Sequence, residues 1–395
     1  MMDELQVAVD VGSRRPRVAS GIADGRVLEE FDMAHTPEGL GLFFRRVEER
    51  RREVGGGVNV AMEGLNGWAR PLDGQILMRG WRLYNVNNLK LARFKEIFPG
   101  ASKSDAIDAR KMLELFGLRE RLPLAKGVLQ EVAPIPAVEA KLKRLTRRRR
   151  QLVEERVRVV NRLHADLQAV SPGLLEITGQ VSNLWFLRFL SVRDDLRQLS
   201  RLRVGTLRQI RGVGAKYAAV IQAWQKRAQF AEEVEWVGSM IIEDARRTLA
   251  LIKQIAALED QIEQLVSTST MAQRIDSIPG FGPLSSGELA GEIGTPGRFG
   301  REAGLALYLG VTSLEHSSGQ YRGSRPARNV NRRAQASIIT ATVRHMACVS
   351  ESRAYYDKKR TEGKSHRQAV RALARHLVRV IWSMLKHDRD YQTRT

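Results

Sequence analysis

Three short β-patterned runs stand back to back at the start of this chain, and that arrangement limits the fold more than any other feature. LQVAVD (Leu5–Asp10), RPRVASGIA (Arg15–Ala23) and RVLEEF (Arg26–Phe31) are separated only by Gly, Ser, Asp and Arg clusters, so they are expected to form three consecutive antiparallel strands. A helical pattern over Pro37–Val54 follows, then VNVAME (Val58–Glu63), a short helical stretch and RLYNV (Arg82–Val86). Strands alternating with helices in this way predict an α/β domain.

Beyond it the pattern turns helical, so the expected fold class is α/β plus all-α, divided as residues 1–125, 126–270 and 271–395. One long helix is expected from about Ala137 to Val170, with Val138, Leu142, Leu145, Leu152, Leu163 and Leu167 near heptad spacing. A second seam, Leu251, Ile255, Leu258, Ile262 and Leu265, follows the 4-3-4-3 rhythm of a coiled coil. The two can pair within the chain or between subunits. Gly212 and Gly214, and again Gly280 and Gly282, place a Gly-x-Gly turn before a helix. Such turns can present free N–H groups to a phosphate, as helix-hairpin-helix motifs do, or can be plain corners between helices. At the far end an amphipathic helix carries Ala369, Leu373, Leu377, Val380, Ile381 and Met384 on one side.

Charge then narrows the function. Lys and Arg total 65 against 44 Asp and Glu, a net charge of +21 over 395 residues, which calls for an anionic partner. The run Arg147, Arg148, Arg149 and Arg150 on the first long helix is either a solvated face or a phosphate-tracking one, and the overall charge makes the second at least as good. Gly319–Arg333 holds five arginines, Arg322, Arg325 and Arg328 among them, and no acid. Hydrophobic residues at 43% argue against disorder. The lone Cys348 excludes an internal disulfide and a Cys-rich zinc site and suits a reducing cytoplasm. The N-terminal MMDELQVAVD lacks a basic run followed by an apolar segment, and no stretch of about 18 uncharged apolar residues occurs, so neither secretion nor a membrane partner is expected.

Within this basic chain four acids stand out. Asp10 closes the first strand, Glu63 closes the later VNVAM run, and Asp105 and Asp108 share one face of the helix expected over Lys103–Phe116. Each alone has an ordinary explanation, as a strand end or a first-turn acid. Together, two strand-end acids and a helical pair form a layout in which carboxylate oxygens can converge on Mg²⁺, a hard cation suited to phosphodiester chemistry. The element order is that of a ribonuclease-H-like fold.

The motifs AVD, AMEG and SDAIDAR, in that order, resemble the DEDD pattern of transposases of the insertion-sequence one-ten family. SIPGFGP and RFGREAGLALYLGVTSLEHSSGQYRG are similar to that family's C-terminal transposase domain. The resemblance covers roughly residues 5–125 and 270–390. It implies a RuvC-like N-terminal domain in which Asp10, Glu63, Asp105 and Asp108 bind Mg²⁺, and a catalytic serine at Ser318. It also implies donor and target DNA and a noncoding bridge RNA as partners, an assembly of homodimers or a tetramer, and a cytoplasmic, nucleoid-associated location in a bacterium. Ser313 stands where the family usually has proline, Gly64-Leu65-Asn66-Gly67 replaces Ala-Thr-Gly, and Gln335 occupies a common arginine position. Three functions are therefore weighed. A DNA recombinase working through a phosphoserine link accounts for both motif sets and for the missing Walker-type phosphate loop. A metal-dependent RuvC-like nuclease or junction resolvase would use activated water and leave Ser318 idle. A non-enzymatic nucleic-acid binder explains the charge but not four ordered carboxylates. Arginines around a serine suit phosphoryl transfer, where positioning and charge stabilisation carry most of the catalysis. His316 is taken as structural.

Overall fold

The computed structural model describes residues 4–11, 15–22, 24–63, 70–86, 91, 92, 94, 96, 105–121, 128–320, 322–328 and 330–392, with backbone only at 70, 105–107 and 120. It divides into two compact units, Met1–Pro134 and Ile135–Thr395. The boundary falls at residue 135, so residues 135–270 share a unit with residues 271–395, while residues 126–134 lie with the sheet.

The first unit is a six-stranded mixed sheet built from β1 (Leu5–Asp10), β2 (Arg17–Gly21), β3 (Val27–Asp32), β4 (Val58–Glu63), β5 (Arg82–Val86) and β6 (Leu129–Glu131), in the order β3-β2-β1-β4-β5-β6. The first three strands pair antiparallel, as their short connections require, while β4 and β5 run parallel to β1. The helix α1 (Pro37–Val54) supplies the crossover. Thr36 caps its start by accepting from the Gly39 amide, and Gly55 ends it in the left-handed conformation. Period-2 alternation sorts the two faces. Leu5, Val7, Val9, Val58, Val60 and Met62 pack with Phe43, Phe44 and Val47 of α1 and with Leu72 and Ile76 of α2 (Arg70–Met78). The opposite face carries the small residues Ala8, Ala19 and Ala61, which let α3 (Asp105–Arg121) settle onto it through Ala109, Met112, Leu113 and Phe116.

The second unit is helical apart from one small hairpin. Its helices are α4 (Ala137–Val170), α5 (Gly173–Glu176), α6 (Leu184–Leu190), α7 (Val204–Gln209), α8 (Gly214–Gln225), α9 (Val234–Val266), α10 (Thr270–Asp276), α11 (Gly282–Ile293), α12 (Glu302–Tyr308), α13 (Arg332–Cys348), α14 (Ser350–Thr361) and α15 (His366–Lys386). The two long heptad helices pair with each other inside the chain. Arg149 meets Glu259, Arg247 meets Glu155 and Arg162 meets Asp244, so α4 and α9 run antiparallel. Leu152, Val159, Leu251 and Ile255 fill the seam at mid-length. Around one end of the pair, α6, α7 and α8 close a core containing Phe186, Phe189, Ile221 and Trp224. Around the other, α10 to α13 and α15 close a second core containing Leu142, Phe281, Leu289, Ile338, Leu377 and Ile381. No helix among the described residues is long and apolar enough to cross a membrane.

Candidate active site

The acids of the first unit lie where the alternation of the strands puts them. Val9 pairs with Met62 across the parallel β1–β4 ladder, so the next residues, Asp10 and Glu63, close two adjacent strands at the same end. Both share the parity of Ala8 and Ala61 and therefore point to the face that α3 covers. On α3, Asp108 precedes Ala109 and is buried, with 7% of its surface exposed. Arg110, one residue further, ties the helix to the sheet through an ion pair with Glu30 of β3, which holds that carboxyl below its usual range. Asp105 opens the helix, and its side chain lies outside the described residues. Asp10 and Glu63 thus close two adjacent strands on the face that α3 covers, and Asp108 is buried on that helix. Among the described residues no three acids, histidines or cysteines stand close enough together to hold a metal ion.

In the second unit Ser318 sits in an excursion between α12 and α13. Ser313–Glu315 and Ser324–Pro326 form an antiparallel two-stranded hairpin with Leu314 opposite Arg325, and the His316 amide donates to the Gly323 carbonyl at 2.9 Å. Residues 313–320 are all exposed, Ser318 included. Gly319 follows it at φ +56°, a left-handed backbone that glycine adopts without strain. Ser317 donates to Glu315 Oε1 at 3.2 Å, which distinguishes it from its neighbour. Arg322, Arg325 and Arg328 are exposed on the same excursion and form no ion pair among the described residues.

The arginine run on α4 is largely engaged in ion pairs within the helical unit. Arg147 makes a bidentate pair with Glu292 at 2.6 and 2.9 Å, Arg150 one with Glu288 at 2.7 and 2.8 Å, and Arg149 reaches Glu259 at 2.7 Å. Three of the four guanidinium groups are thereby committed to acids on α11 and α9, and Arg148 remains exposed without an ion pair among the described residues. The acids that pair with this run lie more than 100 positions away in the sequence. A signal was present in SSGELAGEIG, where two acids at i and i+4 stand on a helix otherwise made of small and apolar residues. Gly287 and Gly291 bring that helix close to α4, since a Cβ on Gly291 would come within 2.5 Å of the Lys143 amide nitrogen.

The Gly280 turn packs closely on α13. A Cβ there would stand 2.6 Å from the His345 amide nitrogen on α13, whereas one on Gly282 would meet nothing within 4 Å. His345 is fully buried, its Nδ1 lies 2.7 Å from the Pro279 carbonyl oxygen, and burial lowers its pKa.

Comparison with known proteins finds two family models in chain order. A model described as a transposase matches residues 7–172, and one described as "Transposase IS116/IS110/IS902 family" matches residues 272–357. The chain is 27% identical to the insertion element IS116 uncharacterized 44.8 kDa protein of Streptomyces clavuligerus, over 98% of this chain and 96% of the relative. It is 29% identical to the IS900 uncharacterized 42 kDa protein of Mycobacterium paratuberculosis, over 86% of each. A transposase for the insertion sequence IS1111A of Coxiella burnetii is 24% identical over 51% of this chain and 59% of its own length.

Proposed function

Because the chain belongs to the IS110/IS116 family of insertion-sequence transposases, we propose that it cuts and rejoins DNA through a phosphoserine intermediate formed on Ser318. The observation that carries this is the exposed Ser318 beside a left-handed Gly319, on an excursion whose arginines Arg322, Arg325 and Arg328 are committed to no acid among the described residues. The Ser318 Oγ bonds to a backbone phosphorus as the P–O3′ bond breaks, and the departing 3′ oxygen takes a proton. A 3′-hydroxyl of another strand then attacks the phosphoserine, and Ser318 regains its proton. One phosphoester is exchanged for another at each step, so no nucleotide hydrolysis is needed. The arginines neutralise the non-bridging oxygens while charge builds up on phosphorus.

The ribonuclease-H-like reading of the sheet unit assigns Asp10, Glu63, Asp105 and Asp108 as the residues that would hold Mg²⁺, and the face shared by the first two with α3 supports it. Bound there, the ion would supply Lewis-acid activation and neutralise developing charge. A guide RNA, a dimeric or tetrameric assembly and nucleoid association belong to the same proposal and follow from family likeness.

Trapping the reaction on a nicked substrate, whose downstream strand diffuses away before it can attack back, tests the chemistry. Mass spectrometry of the digested protein should then find a nucleotide 5′-phosphate on Ser318, and Ser318→Ala should yield neither adduct nor recombinant. An adduct on Ser317 would move the nucleophile by one residue. Efficient cleavage with no adduct would assign the protein to the hydrolytic class.

A further inference from the structure

We propose that Glu292, Tyr308, Asn331 and Gln335 form a clasp that pins both feet of the Ser318 excursion, acting as positioning residues for strand transfer; this rests on Ser318 as the nucleophile. Gly310 and Asn331 bound a connection in which Val311 and Ala327 are buried and residues 313–320 are exposed, and such a span is longer than most connections in compact domains. The hairpin inside it has strands of only three residues each, with every strand residue exposed. Two short strands without a buried face are marginal by themselves. Their placement is therefore set at the base.

The base is densely bonded. Asn331 Nδ2 donates to Glu292 Oε2 at 2.7 Å and to the Tyr308 hydroxyl at 2.6 Å, and the Asn331 amide donates to the Tyr308 carbonyl at 2.8 Å. Asn331 Oδ1 meanwhile caps α13 by accepting from the Arg333 and Ala334 amides. The Tyr308 hydroxyl donates to the Glu292 carbonyl at 2.8 Å. Gln335 Nε2 donates to the Gly310 carbonyl at 2.6 Å, and a Cβ on Gly310 would stand 2.5 Å from that nitrogen. Arg298 covers the Tyr308 ring at 4.7 Å and donates to the Glu292 and Ile293 carbonyls. One side chain thus joins the near foot, the far foot and the start of α13, and its anchor, Glu292, is fully buried and paired with Arg147. Such a base fixes the direction in which the hairpin leaves the core, and with it the line along which the serine can approach phosphorus. Nucleophilic attack is steeply sensitive to that line, since a 1 Å misplacement can cost about 100-fold.

Tyr308→Phe keeps the ring beneath Arg298 and removes only the hydroxyl. Single-turnover strand transfer should fall roughly 10- to 100-fold, with DNA affinity within about twofold and the midpoint of thermal unfolding close to wild type. Amide exchange should quicken across residues 311–330 and stay unchanged in α11. Asn331→Asp, which retains the α13 cap but replaces the donor with a carboxylate beside Glu292, should lose at least as much activity. An unchanged rate in both variants overturns the clasp, as does a rate loss matched by an equal loss of DNA affinity or by faster exchange throughout α11 and α13. Ser318→Ala run alongside separates the two ideas. If it stays active the nucleophile is misassigned, and the exchange data still decide whether the clasp orders the hairpin.

Discussion

Two arginine-rich segments of the helical unit look alike in composition and end in opposite circumstances. Arg147, Arg149 and Arg150 are turned inward onto acids of α9 and α11, whereas Arg322, Arg325 and Arg328 lie exposed between α12 and α13 with no ion pair among the described residues. A cationic run therefore says little about a binding surface until the acids it can reach in three dimensions are known. The first set stitches helices together. The second lies exposed, and in a chain of net charge +21 we propose that it takes a polyphosphate backbone.

Exchanging the two sets in an experiment gives the largest effect and the clearest way to break this contrast. Arg147→Gln strands a carboxylate whose side chain is fully buried, and should cost about 3 kcal/mol of unfolding free energy, the low end for a broken buried pair because a third of the Arg147 side chain stays in water. Its DNA affinity, measured on the folded protein, should keep the wild-type salt dependence. The triple variant Arg322→Gln, Arg325→Gln and Arg328→Gln should do the reverse. Unfolding free energy stays within about 0.5 kcal/mol, while the slope of log affinity against log salt flattens by about 0.9 for each phosphate that is no longer neutralised. Denaturant titrations and binding isotherms at several salt concentrations read both quantities. A stable Arg147 variant with a flattened slope would reverse the assignment.

The same division between inward and outward separates two glycines that the sequence presents as one motif. Gly280→Ala drives a methyl group into the α13 backbone at His345 and should cost roughly 2 kcal/mol from overpacking and the left-handed φ of +84° together. Gly282→Ala meets no neighbour and should cost about 1 kcal/mol for its φ of +65° alone. Thermal unfolding of the two variants ranks them. Equal losses would mean that the corner relaxes away from α13.

What the sequence revealed and what it concealed follow the range of the interactions. Strands β1 to β5, the long helix α4, the second half of α9 and the ends of α1 were legible because period-2 and period-3.6 patterns, Thr36, Pro37 and Gly55 are local signals. The face shared by Asp10 and Glu63 was implicit in the same alternation. The fate of the arginine run was hidden because Glu288 and Glu292 lie more than 130 residues from their partners, and no local pattern pairs them. Gly280 was ambiguous for the same reason, since a backbone that approaches from residue 345 leaves no mark near residue 280. Of the clasp residues, Tyr308 and Asn331 are single polar residues in ordinary positions, and Gln335 stands out in the sequence only as a departure from the family pattern. Only the closure of the excursion makes them neighbours.

The smallest effect lies within α11, where two acids one turn apart should respond to pH with opposite signs. Burial pushes Glu292 upward, but Arg147, with Asn331 as a further donor, outweighs it and leaves the carboxyl below its ordinary range. Glu288 is also pushed up by burial, and Arg150 offsets this only in part against the nearby Glu292 charge, so its carboxyl stays above that range. An acid with a depressed folded pKa contributes stability that is present above the unfolded value, about 4.3, and lost as pH falls through the folded one. An acid with a raised folded pKa contributes stability that is full below the unfolded value and lost as pH rises through the folded one. Glu292→Gln should therefore destabilise more at pH 7 than at pH 4, whereas Glu288→Gln should be better tolerated at pH 7 than at pH 4. A tenfold difference in proton affinity between the folded and unfolded chain is worth about 1.4 kcal/mol, enough to resolve in urea unfolding at the two pH values. If both variants lose more stability at pH 7, the Arg150 pair is as effective as the Arg147 pair, and the added donor from Asn331 is not what sets Glu292 apart.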